Sequence, residues 1–325
     1  MTSDLHSLIE RFQDKQIHAA HSGRELMEVL VGLVRDSTAA SWEELDREVE
    51  SAIDELLEVM PAYAPPINVL HRFLTSVEKA QVEHESLADI RSQVEHLGLE
   101  YTAWSQRARG AISSIAYELV PQDSAVFTFT LSETVLTTLQ RLWTEGKRFR
   151  VYVTESRPNN DGLDTAKQLS SIGIPVMVSI DACIPDLMSR SDVMLVGAEA
   201  ILADGSAICK AGTYLAALVA REHGVPLYIL ADTMKFDATS LRGVEHVLDP
   251  LVGRDFPEIT NDNAVRVGGH LFDRTPPECI RGIVSERGLF SPVACVETMI
   301  HMPISESLVE MLRAASHGVD NSTSS

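Results

Sequence analysis

The sequence predicts an α/β protein in which an N-terminal helical domain is followed by a second domain built on a doubly wound parallel sheet. In the first third of the chain, apolar residues recur at the three- and four-residue spacing of amphipathic helices. From Asp123 onward, short apolar runs alternate with helical stretches of about 10–15 residues, which is typical of a parallel sheet. We therefore expect a helical domain over residues 1–120 and a Rossmann-like α/β ligand-binding domain over residues 121–325.

The helical domain is recognisable by its start and stop signals. Ser41 followed by Glu44 forms a capping box, which predicts the start of a helix there. Prolines after residue 60 end this helix and allow another to begin at Ile67. One amphipathic pattern then continues from Ser86 to about Val120. This pattern predicts a single long helix at the end of the domain.

The second domain is predicted from buried strands that are separated by helices. The five strands are Ala125–Phe129, Phe149–Val153, Pro175–Ile180, Val193–Val196 and Leu227–Leu230. The four helices between them are Glu133–Glu145, Gly162–Ile172, Asp181–Arg190 and Gly212–His223. Because a helix returns the chain after each strand, we expect the strands to be parallel and their carboxyl ends to lie along one edge of the sheet.

Composition limits the range of functions. The formal net charge of −20 argues against binding to nucleic acid or to an anionic membrane surface, since phosphate contacts need clustered Lys and Arg. No apolar run approaches the length of about 18 residues that a membrane span requires, and no signal peptide is recognisable. The four cysteines form no C-x-x-C pair, which favours reduced thiols in a cytoplasmic protein. The scattered histidines match no zinc motif, so we expect neither a metal nor a cofactor.

Polar turns follow the predicted strands, at the edge where an open α/β sheet binds its ligand. Thr130 and Ser132 come after the first strand, where a helix N-terminus suits an anion, although a simple N-cap would also explain Ser132. Arg157 comes after the second strand and is able to bind a phosphate with two N–H groups. These turns predict an anionic ligand, most simply a phosphate ester.

The fourth and fifth strands add further groups to the same predicted edge. Glu199 follows the fourth strand and is expected to face the same crevice. Lys210, Gly212 and Thr213 then open a helix whose amides we expect to be free to bind. Lys235 follows the fifth strand and brings a second lysine near the site. The pattern is not the phosphate loop of nucleotide hydrolases, and no G-x-G-x-x-G occurs, so nucleotide hydrolysis is unsupported.

We expect Arg157 and Lys210 to line one cleft together with Glu199, Thr130 and Asp237. A further contribution is predicted from the helical domain, where a glycine and an arginine, Gly23 and Arg24, lie near an expected helix start. Such a pair would be able to close over a phosphate. The simpler interpretation makes Ser22 or Gly23 the N-cap of that helix.

Seven short segments, each present once, follow one another along the second domain: Val153–Pro158, Gly173–Ala182, Val196–Glu199, Lys210–Thr213, Lys235-Phe236, Phe272–Glu278 and Ser285–Leu289. Together they resemble the superfamily that joins ribose-1,5-bisphosphate isomerase, methylthioribose-1-phosphate isomerase and the α, β and δ regulatory subunits of eukaryotic initiation factor 2B. The resemblance extends from about Ala125 to Leu289 and is weak in the helical third.

The resemblance implies a catalytic pair that this chain has altered. The isomerases have a cysteine where this chain has Thr130 and an aspartate where it has Glu199, and these two groups move protons at the first two carbons of the sugar. A hydroxyl titrates far above a thiol, whose pKa is about 8.5. Since one acid–base group contributes about 10²–10⁴-fold to a rate, we expect Thr130 to remove most isomerase activity. The longer side chain of Glu199 is expected to misplace its carboxylate.

Three functions are left open by the sequence. The first is a regulatory protein that binds a sugar phosphate or nucleotide phosphate and has a degenerate catalytic pair. The second is an aldose–ketose isomerase acting on a phosphorylated pentose similar to ribose 1,5-bisphosphate, which would use Glu199 with a substitute acid. The third is a structural subunit of an assembly similar to a translation initiation factor. We expect a homodimer or higher homo-oligomer, because the resemblance implies one and the apolar segment Leu289–Met302 is long for a peripheral strand.

Overall fold

A computed structural model describes residues 3–13, 19–60, 63–83, 86–256 and 265–320. The chain divides into two compact units, each built from more than one segment. The first unit comprises Met1–Gln106, Asp237–Val247 and Met299–Ser325, and the second comprises Arg107–Phe236 and Leu248–Thr298. The domain boundary expected at residue 120 stays a prediction.

The elements of the described residues follow in chain order. The first are α1 (Ser3–Gln13), α2 (Ala19–Asp36), α3 (Trp42–Val59), α4 (Ala64–Val82), α5 (Leu87–Leu119), β1 (Ser124–Thr128), α6 (Glu133–Thr144), β2 (Phe149–Thr154), α7 (Asp161–Ser171) and β3 (Val176–Ser179). They are followed by α8 (Ile184–Met188), β4 (Val193–Gly197), β5 (Ala200–Ile201), β6 (Ala207–Lys210), α9 (Thr213–Glu222), β7 (Leu227–Leu230), β8 (Phe272–Thr275), β9 (Gly282–Ser285), β10 (Gly288–Phe290), α10 (Cys295–Ile300) and α11 (Glu306–Asp320).

The first unit is helical, as the sequence predicts. Helix α3 begins at the expected cap, where the Ser41 hydroxyl accepts a hydrogen bond from the backbone N–H of Glu44 at 3.3 Å. The Glu44 carboxylate in turn accepts a hydrogen bond from the N–H of Ala40 at 2.8 Å. Side chains therefore satisfy donors on both sides of this helix start. Helix α4 begins at Ala64 with prolines in its first turn, three residues before the expected start at Ile67. The pattern from residue 86 onward forms the single long helix α5, whose residues up to Gln106 belong to the first unit. Among the described residues, no helix is both long and apolar enough to span a membrane.

The second unit contains, within the described residues, a seven-stranded sheet in the order β10-β9-β7-β4-β1-β2-β3. All neighbours pair in parallel except β10, which runs antiparallel to β9. The central strands β1 and β4 are nearly continuous apolar segments, so they are buried on both faces of the sheet. Val126, Val151 and Leu195 in the core are fully buried. The predicted α/β class is confirmed, and the five predicted strands correspond to β1, β2, β3, β4 and β7.

A second, three-stranded antiparallel sheet in the order β5-β6-β8 is absent from the sequence-based prediction. It pairs Cys209 with Asp273 and Lys210 with Phe272. Strands β9 and β10 were likewise not predicted as part of the main sheet. The small sheet matters for the site, because β6 carries Lys210 directly before α9.

The chain order of the main sheet creates a switch point between β1 and β4. From β1 the chain continues outward to β2 and β3, and it then crosses back to β4 on the other side of β1. The loops that leave β1 and β4 therefore run in opposite directions, and a crevice opens between them at their carboxyl ends. Thr130 follows β1 and Glu199 follows β4, so both lie at this crevice.

Candidate functional site

Thr130 occupies an unusual backbone conformation at the end of β1. Its φ of 65° lies in the left-handed region. A β-branched residue rarely adopts that region. Its carbonyl accepts a hydrogen bond from the hydroxyl of Thr165 at 2.9 Å, and its own hydroxyl donates to Asp161 Oδ2 at 3.4 Å. The surroundings therefore hold the residue in a strained conformation of the kind that clusters at functional sites.

Lys210 forms a buried ion pair with the same carboxylate. Its Nζ lies 3.4 Å from Asp161 Oδ2, and the two side chains are 5% and 16% exposed. Burial lowers the pKa of the Lys210 ammonium, while Asp161 opposes that shift. Two further carboxylates, Glu199 and Asp255, act on it in the same direction as Asp161. Lys210 thus lies among carboxylates at the switch point.

Asp161, which the sequence analysis does not single out, joins Thr130 to Lys210. It is the first residue of α7, where an acidic side chain is common because it complements the helix dipole. That ordinary explanation is why the sequence did not set this residue apart. Its contact with β6 depends on the fold rather than on a motif.

Glu199 lies beside these groups at the end of β4. Its backbone N–H donates to the carbonyl of Ile208 at 2.8 Å, which fixes the turn into β5 and β6. Within the described part of the chain, its buried Oε2 atom has no hydrogen-bond partner. Burial raises the pKa of the nearby Cys209 thiol well above its ordinary value, and Asp273 and Glu199 raise it further. Cys209 therefore stays protonated at neutral pH.

Arg157 lies in an exposed loop beyond β2. The Asp181 carboxylate fixes this loop by accepting hydrogen bonds from the backbone N–H groups of Ser156 and Arg157, each at 2.9 Å. The guanidinium of Arg157 itself has no hydrogen bond or ion pair to any residue that the structure describes. It is therefore available to an anion that reaches this edge of the sheet.

The start of α9 differs from the sequence-based expectation. Gly212 has a φ of 103° and approaches the ring of Phe129. A side chain would not fit there. The Asp273 carboxylate accepts hydrogen bonds from the backbone N–H groups of Gly212 at 2.7 Å and Tyr214 at 3.0 Å. Amides that were expected to be free are thus held by the chain itself. Burial raises the pKa of Asp273 to about 6 against the effect of these amides.

The hydroxyl of Thr213 supports the same turn, since it donates to the carbonyl of Lys210 at 2.7 Å. Ser132 caps α6 by accepting from the N–H of Val135 at 3.4 Å, which agrees with the simple N-cap interpretation. Lys235 is buried, and its Nζ donates to the carbonyl of Ala198. That bond ties the segment after β7 to the end of β4.

Asp237 belongs to the first compact unit. Its carboxylate accepts hydrogen bonds from the backbone N–H groups of Thr239 at 3.0 Å and Ser240 at 3.2 Å. It also lies 3.4 Å from His246 Nδ1, and the pKa of Asp237 is lowered although burial opposes this. These contacts make it the cap of a short 3₁₀ turn. Its place in the predicted cleft stays a prediction.

Gly23 and Arg24 also belong to the first unit. Helix α2 begins at Ala19, so neither Ser22 nor Gly23 is its N-cap, contrary to the simpler expectation. A side chain at Gly23 would meet the hydroxyl of Tyr101 at 2.7 Å, so this glycine serves close packing. Arg24 Nε lies 3.9 Å from Oε1 of Glu28, one helical turn further along α2. A role of either residue in phosphate binding stays a prediction.

The structure thus brings Thr130, Glu199 and Lys210 together with Asp161 at one switch point. Within the described ranges, no group of His, Cys, Asp and Glu side chains is arranged to hold a metal ion. A doubly wound parallel sheet with its polar groups gathered where the strand order reverses defines a Rossmann-like α/β protein.

The chain belongs to the initiation factor 2 subunit family, whose family model matches residues 16–292. It is 29% identical over 302 residues to the ribose 1,5-bisphosphate isomerase of Pyrococcus furiosus, an alignment covering 91% of this chain and 93% of the relative. The crystal structure of the Pyrococcus horikoshii translation initiation factor eIF-2B aligns with a TM-score of 0.74 at 25% identity, covering 91% of this chain and 100% of the other.

A 5-methylthioribose 1-phosphate isomerase from Pyrococcus horikoshii has the same fold, with a TM-score of 0.74 at 20% identity and coverage of 91% of this chain and 87% of the other. The family model and these relatives agree with the resemblance that the sequence motifs indicate, and the 5-methylthioribose 1-phosphate isomerase agrees with it in fold. The resemblance is confirmed.

Proposed function

We propose that the protein binds a phosphorylated sugar or nucleotide at the carboxyl edge of its parallel sheet and lacks the isomerase chemistry of its relatives. The observation that carries this proposal is the residue at the end of β1. Thr130 lies at the switch point with its hydroxyl bound to Asp161, and the resemblance implies a catalytic thiol at that position. We infer a regulatory or sensing role, because a binding site without its acid–base pair reports on a ligand without converting it.

Two cations support the binding part of the proposal. Arg157 has an unengaged guanidinium in a loop that Asp181 holds in place, and such a group binds phosphate in a bidentate way. Lys210 is buried at the same edge of the sheet, where its ammonium already pairs with Asp161 and would be shared with a bound phosphate. A phosphate group bound there would contact both cations.

The thiol chemistry supports the second part of the proposal. A Thr hydroxyl does not ionise near neutral pH, so Thr130 is a poor proton carrier. Cys209 does not replace the missing thiol, because its burial keeps the sulfur protonated. All four cysteines are free, which suits the cytoplasmic location that we also propose.

A ligand that binds at this edge is expected to stabilise the protein against heat. At about 100 times its dissociation constant, a single-site ligand adds roughly 2.7 kcal/mol, which raises the Tm by several degrees. We expect such a shift from one member of a panel of sugar bisphosphates and nucleotides measured by thermal unfolding. Arg157→Ala should abolish it, because the phosphate loses its bidentate partner.

Arg150→Ala is the matched control for this experiment. Arg150 is an exposed residue of the same strand β2, but it lies near the amino end, away from the proposed site. Its replacement should leave the ligand-induced shift intact. Loss of the shift in both variants, or in neither, would contradict the proposed contact of Arg157 with phosphate.

The second candidate function is an isomerase, and one observation favours it. The buried Oε2 atom of Glu199 has no hydrogen-bond partner among the described residues, so the carboxylate is free to accept a proton from a substrate. The panel ligand that shifts the Tm should therefore be assayed for ketose product. Robust turnover by the unaltered chain, stopped by Glu199→Gln with the thermal shift retained, would replace the binder proposal with this one.

We further propose that the protein is a homodimer or a higher homo-oligomer. Leu289 and Val293, in and after the edge strand β10, are 49% and 64% exposed. Such exposure is unfavourable for neighbouring apolar side chains that nothing covers. At micromolar concentration, we expect sedimentation of a species heavier than the 35.7 kDa monomer. The double replacement of Leu289 and Val293 by Glu should shift the distribution toward the monomer. A purely monomeric unaltered protein would contradict this expectation.

A further inference from the structure

The Lys210 ammonium is already neutralised inside the protein. Its Nζ and Asp161 Oδ2 are 3.4 Å apart, and both side chains are largely withdrawn from water. Charges in such a place interact strongly because solvent screens them weakly. Any phosphate that uses Lys210 must therefore share the ammonium with this carboxylate or displace it.

The amides at the start of α9 and the second lysine near Lys210 are both occupied by the chain itself. The N–H groups of Gly212 and Tyr214, which begin α9, donate to the Asp273 carboxylate. The second lysine of the site, Lys235, donates to a backbone carbonyl. Of the two lysines, the α9 amides and Arg157, a phosphate is left with the buried ammonium of Lys210 and the exposed guanidinium of Arg157.

From these contacts we propose that Asp161 sets the ligand affinity of the site by competing with the phosphate of the ligand for Lys210. The inference rests on the proposed function, since it concerns the same site. Asp161 acts as an internal anion: it holds the ammonium in the empty protein and repels a second anion that approaches it. Glu199 and Asp255, which also act on Lys210, add to the negative potential that the ligand meets.

A purely structural role for the pair makes the opposite prediction. If Asp161 only offsets the charge of a buried lysine, its replacement lowers stability and leaves binding unchanged or weaker. If Asp161 competes with the ligand, its replacement leaves the ammonium without its ion-pair partner, and the phosphate takes that place. Affinity and stability then change in opposite directions.

The test is the variant Asp161→Asn, with ribose 1,5-bisphosphate as the probe in isothermal titration calorimetry. Asparagine keeps the size of the side chain and its contact with Thr130, but it removes the charge. We expect at least about tenfold tighter binding than in the unaltered protein, which corresponds to about 1.4 kcal/mol. The repulsion between two anions at ion-pair distance exceeds this value. Unphosphorylated ribose should show no gain.

Asp164→Asn is the matched control on the same helix. Asp164 is exposed and pairs with Lys167 at 3.0 Å, so its loss removes the same charge from α7 without touching Lys210. Its affinity should match that of the unaltered protein. An equal gain in both variants would mean that net charge, and not competition for Lys210, sets the affinity, and this would overturn the proposal.

The single variant Lys210→Met and the double variant Asp161→Asn with Lys210→Met complete a double-mutant cycle. If Asp161 acts through Lys210, the gain of the single variant should vanish when the ammonium is absent. Asp161→Gln serves as a second neutral replacement should the asparagine variant fail to fold. Unchanged or weaker binding in the neutral variants, with measurable binding by the unaltered protein, would overturn the competition while leaving the proposed function intact. Failure of every variant to bind the probe, and of the unaltered protein to bind any phosphorylated ligand, would refute the proposed function itself.

Discussion

Restoring the catalytic pair, by Thr130→Cys together with Glu199→Asp, is expected to create isomerase turnover on ribose 1,5-bisphosphate. The increase over the unaltered chain should be about 10²–10⁴-fold, the usual contribution of one acid–base group. A thiol with a pKa of about 8.5 would replace a hydroxyl that does not ionise. The shorter aspartate would withdraw the carboxylate by one methylene. The backbone at residue 130 has a φ of 65°. It favours the first change, because Cys is not β-branched and suits this conformation better than Thr does.

Ketose formation in a coupled assay is the measurement, and Thr130→Ser with Glu199→Asp is the matched control. Serine relieves the same backbone strain without supplying a thiol, so this variant should stay at background. A thiol variant that retains the ligand-induced thermal shift and still forms no product would show that the chain has lost more than its catalytic pair.

Gly162→Ala is expected to reduce the free energy of unfolding by about 3 kcal/mol or more. A Cβ atom at this position would lie 1.7 Å from the backbone oxygen of Thr154. That oxygen belongs to strand β2, so the clash is relieved only by separating α7 from the sheet. The same movement would displace Asp161, the neighbour of Gly162 at the start of α7.

Denaturant unfolding measures this effect, and Gly110→Ala provides the comparison. Gly110 is also helical and lies in the same compact unit, but a Cβ there would meet only the tip of Arg141 at 3.8 Å. We expect this variant to gain roughly 0.5–1 kcal/mol from the better helix propensity of alanine. A loss below about 1 kcal/mol for Gly162→Ala would mean that the contact between α7 and β2 adapts at low cost.

The parallel core was predictable because its signal is local. Strands such as β1 and β4 are buried on both faces, so they form continuous apolar runs that the sequence displays directly. The small antiparallel sheet lacks that signal. Strand β5 has two residues, and β8 reads Phe-Asp-Arg-Thr, a segment more typical of a loop. Its pairing with β6 joins residues about 65 positions apart, and no local pattern specifies it.

The candidate site likewise contains residues that the sequence predicts and residues that it does not. Thr130 and Glu199 were predicted because each follows a strand and the ends of parallel strands share an edge, and Lys210 was predicted because it comes just before a helix. Asp161 and Asp273 were missed because their roles depend on contacts between elements. An aspartate at a helix start is common, and the Asp273 motif served only to support the resemblance. The register of β8 against β6 brings the Asp273 carboxylate to the amides of α9.

The discontinuous make-up of the first unit has a consequence for synthesis on the ribosome. The backbone N–H of Ser305 donates to Nδ1 of the buried His71, a residue 234 positions earlier, and the hydroxyl of Ser305 donates to Glu78. At a translation rate of about 5–20 residues per second, these partners emerge roughly 12–47 s apart. The nascent N-terminal helices must therefore wait for these hydrogen-bond partners of His71 and Glu78. The sheet unit, whose last segment ends at Thr298, has all its residues synthesised first.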